Sequence, residues 1–304
     1  MIVIAGPTAS GKTDLAYQLA VAVGGCEIVS ADSRQVYRRL DAGTAKPSAA
    51  QRAAVPHWLL DVAEPSETFD AARWAKEASA AIADIRARRK LAIVCGGTGL
   101  YLKALLEGLA PLPPRDEALR ARLSAESRAA LHARLTTIDP EAAAAIPAGN
   151  IQRVVRALEV FELTGKPISA HWRERREGAL AADLVLRLEL PPERSRERIE
   201  ARSRAMWPGL LAEVKALVPK EFTGAEPGFT SLGYREALAC ARGELLSDDA
   251  LAEMIQGTAA YAKRQRTWFR TQLSARALDA STSPAALLKS AKALWEEARE
   301  KTAA

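Results

Sequence analysis

The sequence predicts an α/β fold in which a parallel sheet is flanked by helices, with a helical insertion domain and further helices toward the C-terminus. A short apolar run, Ile2–Ala5, ends in Gly6-Pro7 and is followed by a helical pattern over residues 14–20. Further apolar runs over residues 26–30 and 91–95 have the length and residue types of buried strands. Strand signals are absent between residue 115 and about residue 182 and return over residues 183–190. We therefore predict a core of residues 1–112 and 183–304, interrupted by a helical insertion domain of residues 113–182.

The turn after the first strand has the composition of a phosphate-binding loop, which indicates a P-loop NTPase-like sheet. Glycines let the backbone curl so that successive N–H groups point inward, and the N-terminus of the next helix adds partial positive charge. A lysine supplies a full charge, and the hydroxyl of Thr13 is a candidate ligand for Mg²⁺. Nucleotides are the usual ligands of such loops, and other diphosphates are also bound. The predicted phosphate-binding residues are Gly6, Pro7, Thr8, Ala9, Ser10, Gly11, Lys12 and Thr13.

Two further strand ends carry candidate site residues. Asp32 directly follows the second strand, at the edge where open α/β sheets bind ligands, although an aspartate there could instead cap a short helix starting near Ser33. The strand over residues 91–95 ends in Cys95 and a Gly-Gly-Thr-Gly turn around Thr98. A typical P-loop NTPase has a Walker-B aspartate at the end of such a strand to hold Mg²⁺. The glycines alone could serve only a tight strand-to-helix turn.

The remaining elements follow from periodicity and from helix and turn signals. Residues 40–56 look like a long irregular loop and residues 57–61 like a short strand, before an amphipathic helix over residues 69–88. The insertion is predicted to contain helices over residues 117–133, 140–146 and 150–164. From residue 193 onward the pattern is helical, with segments at 194–205, 210–217, 234–242 and 249–273.

Composition indicates an ordinary globular protein. The 304 residues are 48% hydrophobic and 26% charged, with a net charge of +6 that leaves an anionic partner possible. Three cysteines and three histidines lie far apart, so neither a disulfide framework nor a zinc site is indicated. No apolar run has the length of a membrane span, and a strand beginning at residue 2 leaves no room for a signal peptide. We expect a cytoplasmic protein that contacts no membrane.

The last predicted helix carries a cationic face. Lys263, Arg266 and Arg270 recur at helical spacing, with Trp268 and Phe269 beside them. A run of this kind is commonly a solvated surface, and cations interleaved with aromatic residues are also typical of nucleic-acid contacts.

Taken together, separate stretches of the chain resemble one family, the tRNA dimethylallyltransferases, also called tRNA isopentenyltransferases. They occur in family order and close to family spacing, and they are residues 6–13, 30–37 with 41–47, 96–101, 150–159 and 263–268. One stretch departs from the pattern: residues 206–209 look one residue short, and Pro208 is unexpected there. This departure falls between the two helical segments predicted at 194–205 and 210–217.

The resemblance implies transfer of the dimethylallyl group of dimethylallyl diphosphate to the exocyclic amino group of the adenosine on the 3′ side of the anticodon. It implies a Mg²⁺ cofactor. It also accounts for the absence of a Walker-B aspartate, because the loop would hold a prenyl diphosphate. Lys12 and Arg202 would stabilise the departing diphosphate. Asp32 would accept the amino proton, with Thr98 positioning the reacting groups, after the base flips out of the anticodon loop.

The same resemblance implies contacts with the anticodon stem-loop of tRNA, made by a chain expected to act as a monomer. Residues 152–156 are equally explained as ordinary core and surface positions of a helix, because Val154 and Val155 belong to an apolar stripe. The residues implied are Asp32, Ser33, Arg34, Gln35, Thr98, Arg120, Gln152, Arg153, Val154, Val155, Arg156, Ser231, Gly233, Tyr234, Arg235, Lys263, Arg264, Gln265, Arg266, Trp268 and Arg270.

Other functions share some of these features. A small-molecule P-loop kinase would place ATP on Lys12 and use Asp32 as base, but it explains neither the missing Walker-B aspartate nor the cationic helix. A prenyltransferase acting on free adenine nucleotides would make no use of that helix. An RNA-binding module with a vestigial loop would bind tRNA without turnover.

Overall fold

The computed structural model describes residues 1–174 and 178–303, with the side chains of residues 302 and 303 left out. Residues 175–177, which fall within the predicted insertion domain, and residue 304 lie outside the described part. The chain divides into a core unit, Met1–Leu106 with Leu180–Ala304, and an insertion unit, Glu107–Ala179. These bounds lie a few residues from the boundaries predicted above.

The core unit is built on a six-stranded sheet with the strand order β3-β2-β4-β1-β5-β6. All pairings are parallel, which confirms the predicted α/β class. All four side chains of β1 are buried, as expected for a central strand covered on both faces. The strands are β1 Ile2–Ala5, β2 Cys26–Ser30, β3 His57–Trp58, β4 Leu91–Gly96, β5 Leu184–Glu189 and β6 Arg276–Asp279.

Helices of the core unit cover the sheet. Helix α1 and the C-terminal helix α13 pack on the sheet in one apolar cluster, which includes Leu15, Leu19, Leu287 and Trp295. The core helices are α1 Lys12–Val23, α2 Ala49–Ala54, α3 Ala71–Ala87, α4 Gly99–Glu107, α10 Pro192–Leu217, α11 Tyr234–Ala241, α12 Ser247–Gln272 and α13 Pro284–Ala303.

The insertion unit is helical, as predicted, and has its own apolar cluster. Leu131, Leu135, Val154 and Leu158 are buried in it. The predicted helix over residues 117–133 is wrong in its extent, because it is two helices: Ser127 accepts a hydrogen bond from the N–H of Ala130 and so starts a new one. The helices are α5 Glu117–Ser124, α6 Arg128–Ile138, α7 Pro140–Ala145, α8 Ile151–Thr164 and α9 Ile168–Trp172.

The loop predicted over residues 40–56 is not wholly irregular. It contains α2, which begins at Ser48 with a capping box: the Ser48 hydroxyl accepts the N–H of Gln51, and the Gln51 side chain accepts the N–H of Ser48. The Ser-x-x-Gln spacing was the signal for this short helix.

The structure also corrects the predicted break around Pro208. Helix α10 continues through Pro208, and the two predicted segments are one helix of 26 residues. Its buried face runs without interruption through Ser203, Trp207 and Leu210, while Pro208 lies on the exposed face. Tertiary packing on both sides of the proline therefore outweighs the loss of one helical hydrogen bond.

The prediction that the chain is helical throughout from residue 193 onward is also wrong. Strand β6 pairs with β5 over Leu186 to Glu189, and α13 follows it. The strand has four residues, of which Leu278 alone is buried. A segment this short contains too little alternation to be distinguished from a loop. No helix in the described part of the chain combines the length and apolar character that crossing a bilayer requires.

Gly96, the last residue of β4, allows a close approach between the end of β4 and the chain that follows β2. A Cβ atom at Gly96 would lie 2.0 Å from the carbonyl oxygen of Ala31 and 2.3 Å from its carbonyl carbon. Backbone atoms cannot move aside as a flexible side chain can. We expect Gly96→Ala to lower the free energy of unfolding by about 3 kcal/mol, measured by urea denaturation.

The control for this variant is Gly149→Ala. A Cβ atom at Gly149 would have no heavy atom within 4 Å. Its stability should remain within about 0.5 kcal/mol of the parent protein. Equal stabilities for the two variants would contradict the close approach of the strands.

Candidate active site

A cavity of about 880 Å³ opens at the carboxyl ends of β1, β2 and β4. The glycine-rich loop over residues 6–13 contributes Thr8 to Thr13, and the segment after β2 contributes Asp32 to Gln35. Thr98, in the turn before α4, lines the same space, together with Arg202 of α10 and Gln265 of α12. The structure thus brings the predicted catalytic residues, Arg202 and the phosphate-binding residues 8–13 to one cavity within the core unit, whereas Gly6 and Pro7 do not line it.

The glycine-rich loop has the backbone of an anion cradle. Gly11 has a φ of 87° and directly precedes α1, whose first residue is Lys12. The N–H of Ser10 donates to the carbonyl oxygen of Pro7 at 3.3 Å, which closes the turn. The buried Ser10 hydroxyl has no hydrogen-bond partner among the described residues. The N-terminus of α1 therefore faces the cavity, as expected for a phosphate site.

Two cations line this cavity with little water around them. Lys12 Nζ donates to the carbonyl oxygen of Pro7 at 3.3 Å, and burial lowers the pKa of Lys12, an effect that Asp32 partly opposes. Burial also lowers the pKa of Arg202, whose Nε donates to Met206 Sδ at 3.4 Å. Neither cation forms an ion pair with a carboxylate among the described residues. A bound polyanion would supply the directly paired negative charge that these two side chains lack.

Asp32 and Thr98 follow the neighbouring strands β2 and β4 and are connected through Ser33. One oxygen of Asp32, Oδ1, accepts the N–H of Arg34 at 2.9 Å. Thr98 Oγ1 accepts the N–H of Ser33 at 3.0 Å, and the N–H of Thr98 donates to the carbonyl oxygen of Ala31 at 3.1 Å. Residues 33–36 form turns and not the short helix considered above. Asp32 therefore shapes a turn with one oxygen, and its half-buried carboxylate still lines the cavity.

The usual Walker-B position is occupied by a neutral group. Cys95 Sγ donates to the carbonyl oxygen of Lys12 at 3.4 Å, directly beneath the phosphate loop. Burial raises the pKa of Cys95 to about 12, so the thiol remains protonated at neutral pH. Cys95 therefore cannot replace the missing aspartate as a ligand of Mg²⁺.

Helix α12 contributes to the cavity through some of its predicted residues. Arg264 and Gln265 line the cavity, whereas Lys263 and Arg270 are exposed outside it. Arg266 donates from Nη1 to Ser195 Oγ at 3.2 Å, which joins α12 to α10. Trp268 packs on the start of α4, where a Cβ atom at Gly99 would lie 2.5 Å from its Cε3.

The predicted residues around α11 divide in the same way. Ser231 lines the cavity, whereas Tyr234 is fully buried away from it. The Tyr234 hydroxyl donates to Glu213 Oε1 at 2.5 Å and accepts the N–H of Gly43 at 3.2 Å. Gly233 is the N-cap of α11, and Arg235 is largely exposed and paired with Glu236.

Two predicted residues after β2 are also engaged within the protein. Arg34 donates from Nη1 to the carbonyl oxygen of Pro227 at 3.3 Å. Gln35 is buried, donates to the carbonyl oxygens of Thr44 and Ala45, and accepts the Ser30 hydroxyl.

The insertion unit contains the remaining predicted tRNA contacts. Arg120 and Arg156 pair with the buried carboxylate of Glu159 at 3.1 and 2.8 Å. Val154 and Val155 are buried in the apolar cluster of this unit. Gln152 and Arg153 are exposed on the first turn of α8. An exposed pair at a helix start, rather than the whole segment, is therefore available to a ligand.

Two cavity residues, Arg198 and Tyr261, lie outside the predicted site. Arg198 precedes Arg202 by one helical turn, lines the cavity and donates to the carbonyl oxygen of Ala280 at 3.0 Å. Tyr261 precedes Gln265 by one turn and also lines the cavity, with the Arg264 guanidinium 5.7 Å from its ring centroid. The i, i+4 spacing to a predicted residue was the available signal in both cases.

The residues of the cavity could hold Mg²⁺ only if a bound substrate supplied part of its coordination. No group of three or more His, Cys, Asp or Glu side chains that could hold a metal occurs in residues 1–174 and 178–303. Thr13 and Asp32 supply hard oxygen donors on the cavity wall. Because Mg²⁺ commonly binds through one or two protein oxygens together with phosphates and water, this small donor set suits an ion carried by a diphosphate.

Comparisons with known sequences agree on one family. A family model described as IPP transferase matches residues 35–272. The tRNA dimethylallyltransferase of Anaeromyxobacter sp. (strain Fw109-5) is 52% identical over 278 residues, covering 90% of this chain and 92% of that relative. The tRNA dimethylallyltransferase of Roseiflexus sp. (strain RS-1) is 47% identical over 278 residues, covering 89% of this chain and 90% of that relative.

Solved structures give the same result. The tRNA delta(2)-isopentenylpyrophosphate transferase of Staphylococcus epidermidis matches with a TM-score of 0.72 and 32% identity, over 97% of this chain and 98% of that chain. A eukaryotic dimethylallyltransferase captured in crystallographic snapshots acting on tRNA matches with a TM-score of 0.78 and 30% identity, over 92% of this chain and 73% of that chain. The similarity therefore extends over nearly the whole chain.

Proposed function

The chain belongs to the IPP transferase family of tRNA dimethylallyltransferases, and from that membership we propose which tRNA atom its cavity modifies and how. The enzyme transfers the dimethylallyl group of dimethylallyl diphosphate to the N6 amino group of the adenosine on the 3′ side of the anticodon. The products are N6-isopentenyladenosine in tRNA and free diphosphate. The substrate site is the anticodon stem-loop, with the target base flipped into the cavity.

One observation carries this proposal: two cations without carboxylate partners share a cavity with a half-buried aspartate. Lys12 and Arg202 supply charge for an anion, and Asp32 supplies a proton acceptor. The neutral Cys95 at the Walker-B position argues against ordinary nucleotide hydrolysis. This combination suits an anionic leaving group and a neutral nucleophile that must lose a proton.

The residues of the chain then have distinct tasks in the displacement. The allylic C–O bond breaks, and its electron pair leaves on a diphosphate oxygen that Lys12, Arg202 and the amides of residues 9–13 stabilise. The adenine N6 lone pair forms the new N–C bond, and the N6 proton moves to Asp32. Thr98, fixed by its bonds to Ser33 and Ala31, positions the base beside Asp32. Bound Mg²⁺, held by Thr13 and the diphosphate, would neutralise part of the leaving-group charge.

The experiment that tests the function is nucleoside mass spectrometry. Purified protein is incubated with Mg²⁺, unmodified tRNA and either dimethylallyl diphosphate or ATP, and the tRNA is then digested to nucleosides. Isopentenyladenosine should form with dimethylallyl diphosphate alone. Consumption of ATP with phosphorylation of a small hydroxyl substrate would favour a kinase, and prenylation of free AMP in preference to tRNA would favour the nucleotide prenyltransferase.

The cationic surface of α12 is proposed as the site that binds the tRNA backbone. Lys263 and Arg270 are exposed, lie two helical turns apart and so share one face of the helix. We expect Lys263→Ala with Arg270→Ala to weaken tRNA binding at least tenfold at low salt. The slope of log K against log salt should become shallower by about 1.5, measured by filter binding.

A matched control removes two exposed cations from α13. Lys289→Ala with Arg299→Ala changes the net charge equally on a helix that carries no predicted RNA contact. Its salt slope should equal that of the parent protein. Equal slopes for both double variants would assign the α12 face to solvent.

The proposed assembly and location follow from the substrate and the cavity. Because the core unit supplies the proposed leaving-group site, proton acceptor and positioning residue in one cavity, we propose that a monomer carries out the chemistry. Unmodified tRNA is a cytoplasmic substrate, and we place the enzyme in the same compartment.

A further inference from the structure

We propose that Gln265 is a positioning residue of the diphosphate site and not a tRNA contact, an inference that rests on the function proposed above. Gln265 lies on α12, within the stretch that the family resemblance had associated with RNA. Its side chain is 7% exposed and points away from the cationic surface, into the core unit.

The Gln265 amide connects the two glycine-rich turns of the site. Its Oε1 accepts the N–H of Thr8 at 2.9 Å, which lies in the phosphate loop. Its Nε2 donates to the carbonyl oxygen of Gly97 at 2.8 Å, which lies in the turn after β4. One side chain thus holds the loops that follow β1 and β4 at a fixed separation.

Both partners lie next to groups with proposed roles. Thr8 precedes the amides of residues 9–13, so its bond to Gln265 sets the start of the phosphate-binding turn. Gly97 precedes Thr98, which in turn holds Ser33 beside Asp32. Gln265 therefore links the diphosphate cradle to the residues around the proposed base through hydrogen bonds and short stretches of backbone.

Steric contacts show that the position of this amide is tightly defined. A Cβ atom at Gly97 would lie 2.7 Å from Gln265 Nε2 and 3.4 Å from Lys12 Nζ. A side chain at position 97 would therefore have to displace the Gln265 amide, while the contact with Lys12 Nζ would be an ordinary one. Gln265 also lines the cavity, but a ligand that displaced either of its bonds would leave the Thr8 N–H or the buried Gly97 carbonyl without a partner.

The variant that tests the inference is Gln265→Met. Methionine has similar length and fills the same space, but it makes neither hydrogen bond. The Thr8 N–H and the Gly97 carbonyl then lose their partner, and the phosphate loop loses its fixed geometry. We expect the affinity for a non-reactive dimethylallyl diphosphate analogue with Mg²⁺, measured by isothermal titration calorimetry without tRNA, to fall at least tenfold. The affinity for tRNA, measured by filter binding, should stay within twofold.

The matched control is Gln256→Met, an identical substitution at an exposed position of the same helix. Both affinities should remain at the parent values in this variant. Gln265→Glu adds a second comparison, because the carboxylate can still accept the Thr8 N–H but cannot donate to Gly97. Its negative charge near Lys12 should also lower the affinity for the donor analogue. The thermal midpoint of this variant shows whether it remains folded.

The outcomes separate this inference from the proposed function. If the parent protein fails to bind the analogue, the proposed function fails whatever Gln265 does. If the parent binds it and Gln265→Met binds it equally well, the positioning role is overturned. A selective loss of tRNA affinity in Gln265→Met would instead assign the residue to the RNA surface.

Discussion

Asp32→Asn should lower kcat for tRNA prenylation by a thousandfold or more while leaving tRNA affinity within about threefold. The asparagine Oδ1 can still accept the N–H of Arg34, so the turn after β2 should keep its shape. The substitution removes only the capacity to take the N6 proton. A group that accepts a proton in the transition state contributes little to substrate binding, and the loss should therefore appear in kcat rather than in KM.

Single-turnover kinetics with saturating donor measure this effect without product release. Asp14→Asn is the comparison, because Asp14 is a second carboxylate on the cavity wall and lies at the start of α1. It should lower the rate less than tenfold, which would separate the loss of a base from the loss of cavity charge. Parent-like turnover by Asp32→Asn would remove Asp32 from the mechanism.

Removing the cations of the cavity should produce the second-largest effect. We expect Lys12→Met to lower kcat at least a hundredfold and to raise the KM for dimethylallyl diphosphate about tenfold, since charge on the diphosphate grows as the C–O bond breaks. Arg202→Met should act in the same direction. The double variant should lose less than the product of the two single losses, because both cations act on one leaving group.

Arg204→Met provides the control for this series. Arg204 lies on α10 beside Arg202 but is exposed and paired with Glu200 at 2.9 Å. Steady-state kinetics at varied donor concentration should give parent values for it. If Lys12→Met keeps parent values as well, the glycine-rich loop does not hold the leaving group.

The parts of the fold that the sequence predicts well are those with dense local signals. The apolar runs of β1, β2 and β4 and the glycine-rich turns that follow them place the phosphate loop, Asp32 and Thr98 at one edge of a parallel sheet. Because the carboxyl ends of parallel strands lie at the same edge of a sheet, the strand assignments alone place these residues close together. The family resemblance is confirmed by the comparisons and agrees with this placement.

The parts that sequence reasoning missed depend on contacts distant along the chain. Strand β6 is defined by pairing with β5, whose partner residues lie 90 positions earlier (Leu186 with Arg276), and not by its own pattern. The continuity of α10 through Pro208 depends on packing of its buried face. The bonds from Gln265 to Thr8 and Gly97 join residues separated by 257 and 168 positions, which no local pattern could indicate.

The central claim is that one cavity holds the diphosphate on the glycine-rich loop and the extruded adenine against Asp32. A crystal structure of the protein with a non-reactive donor analogue, Mg²⁺ and an anticodon stem-loop tests it most directly. We predict diphosphate oxygens within hydrogen-bond distance of Lys12 Nζ and the Arg202 guanidinium, and the adenine amino group within hydrogen-bond distance of the Asp32 carboxylate. A diphosphate bound elsewhere, or an adenine still stacked in the anticodon loop beside an occupied cavity, would contradict the claim.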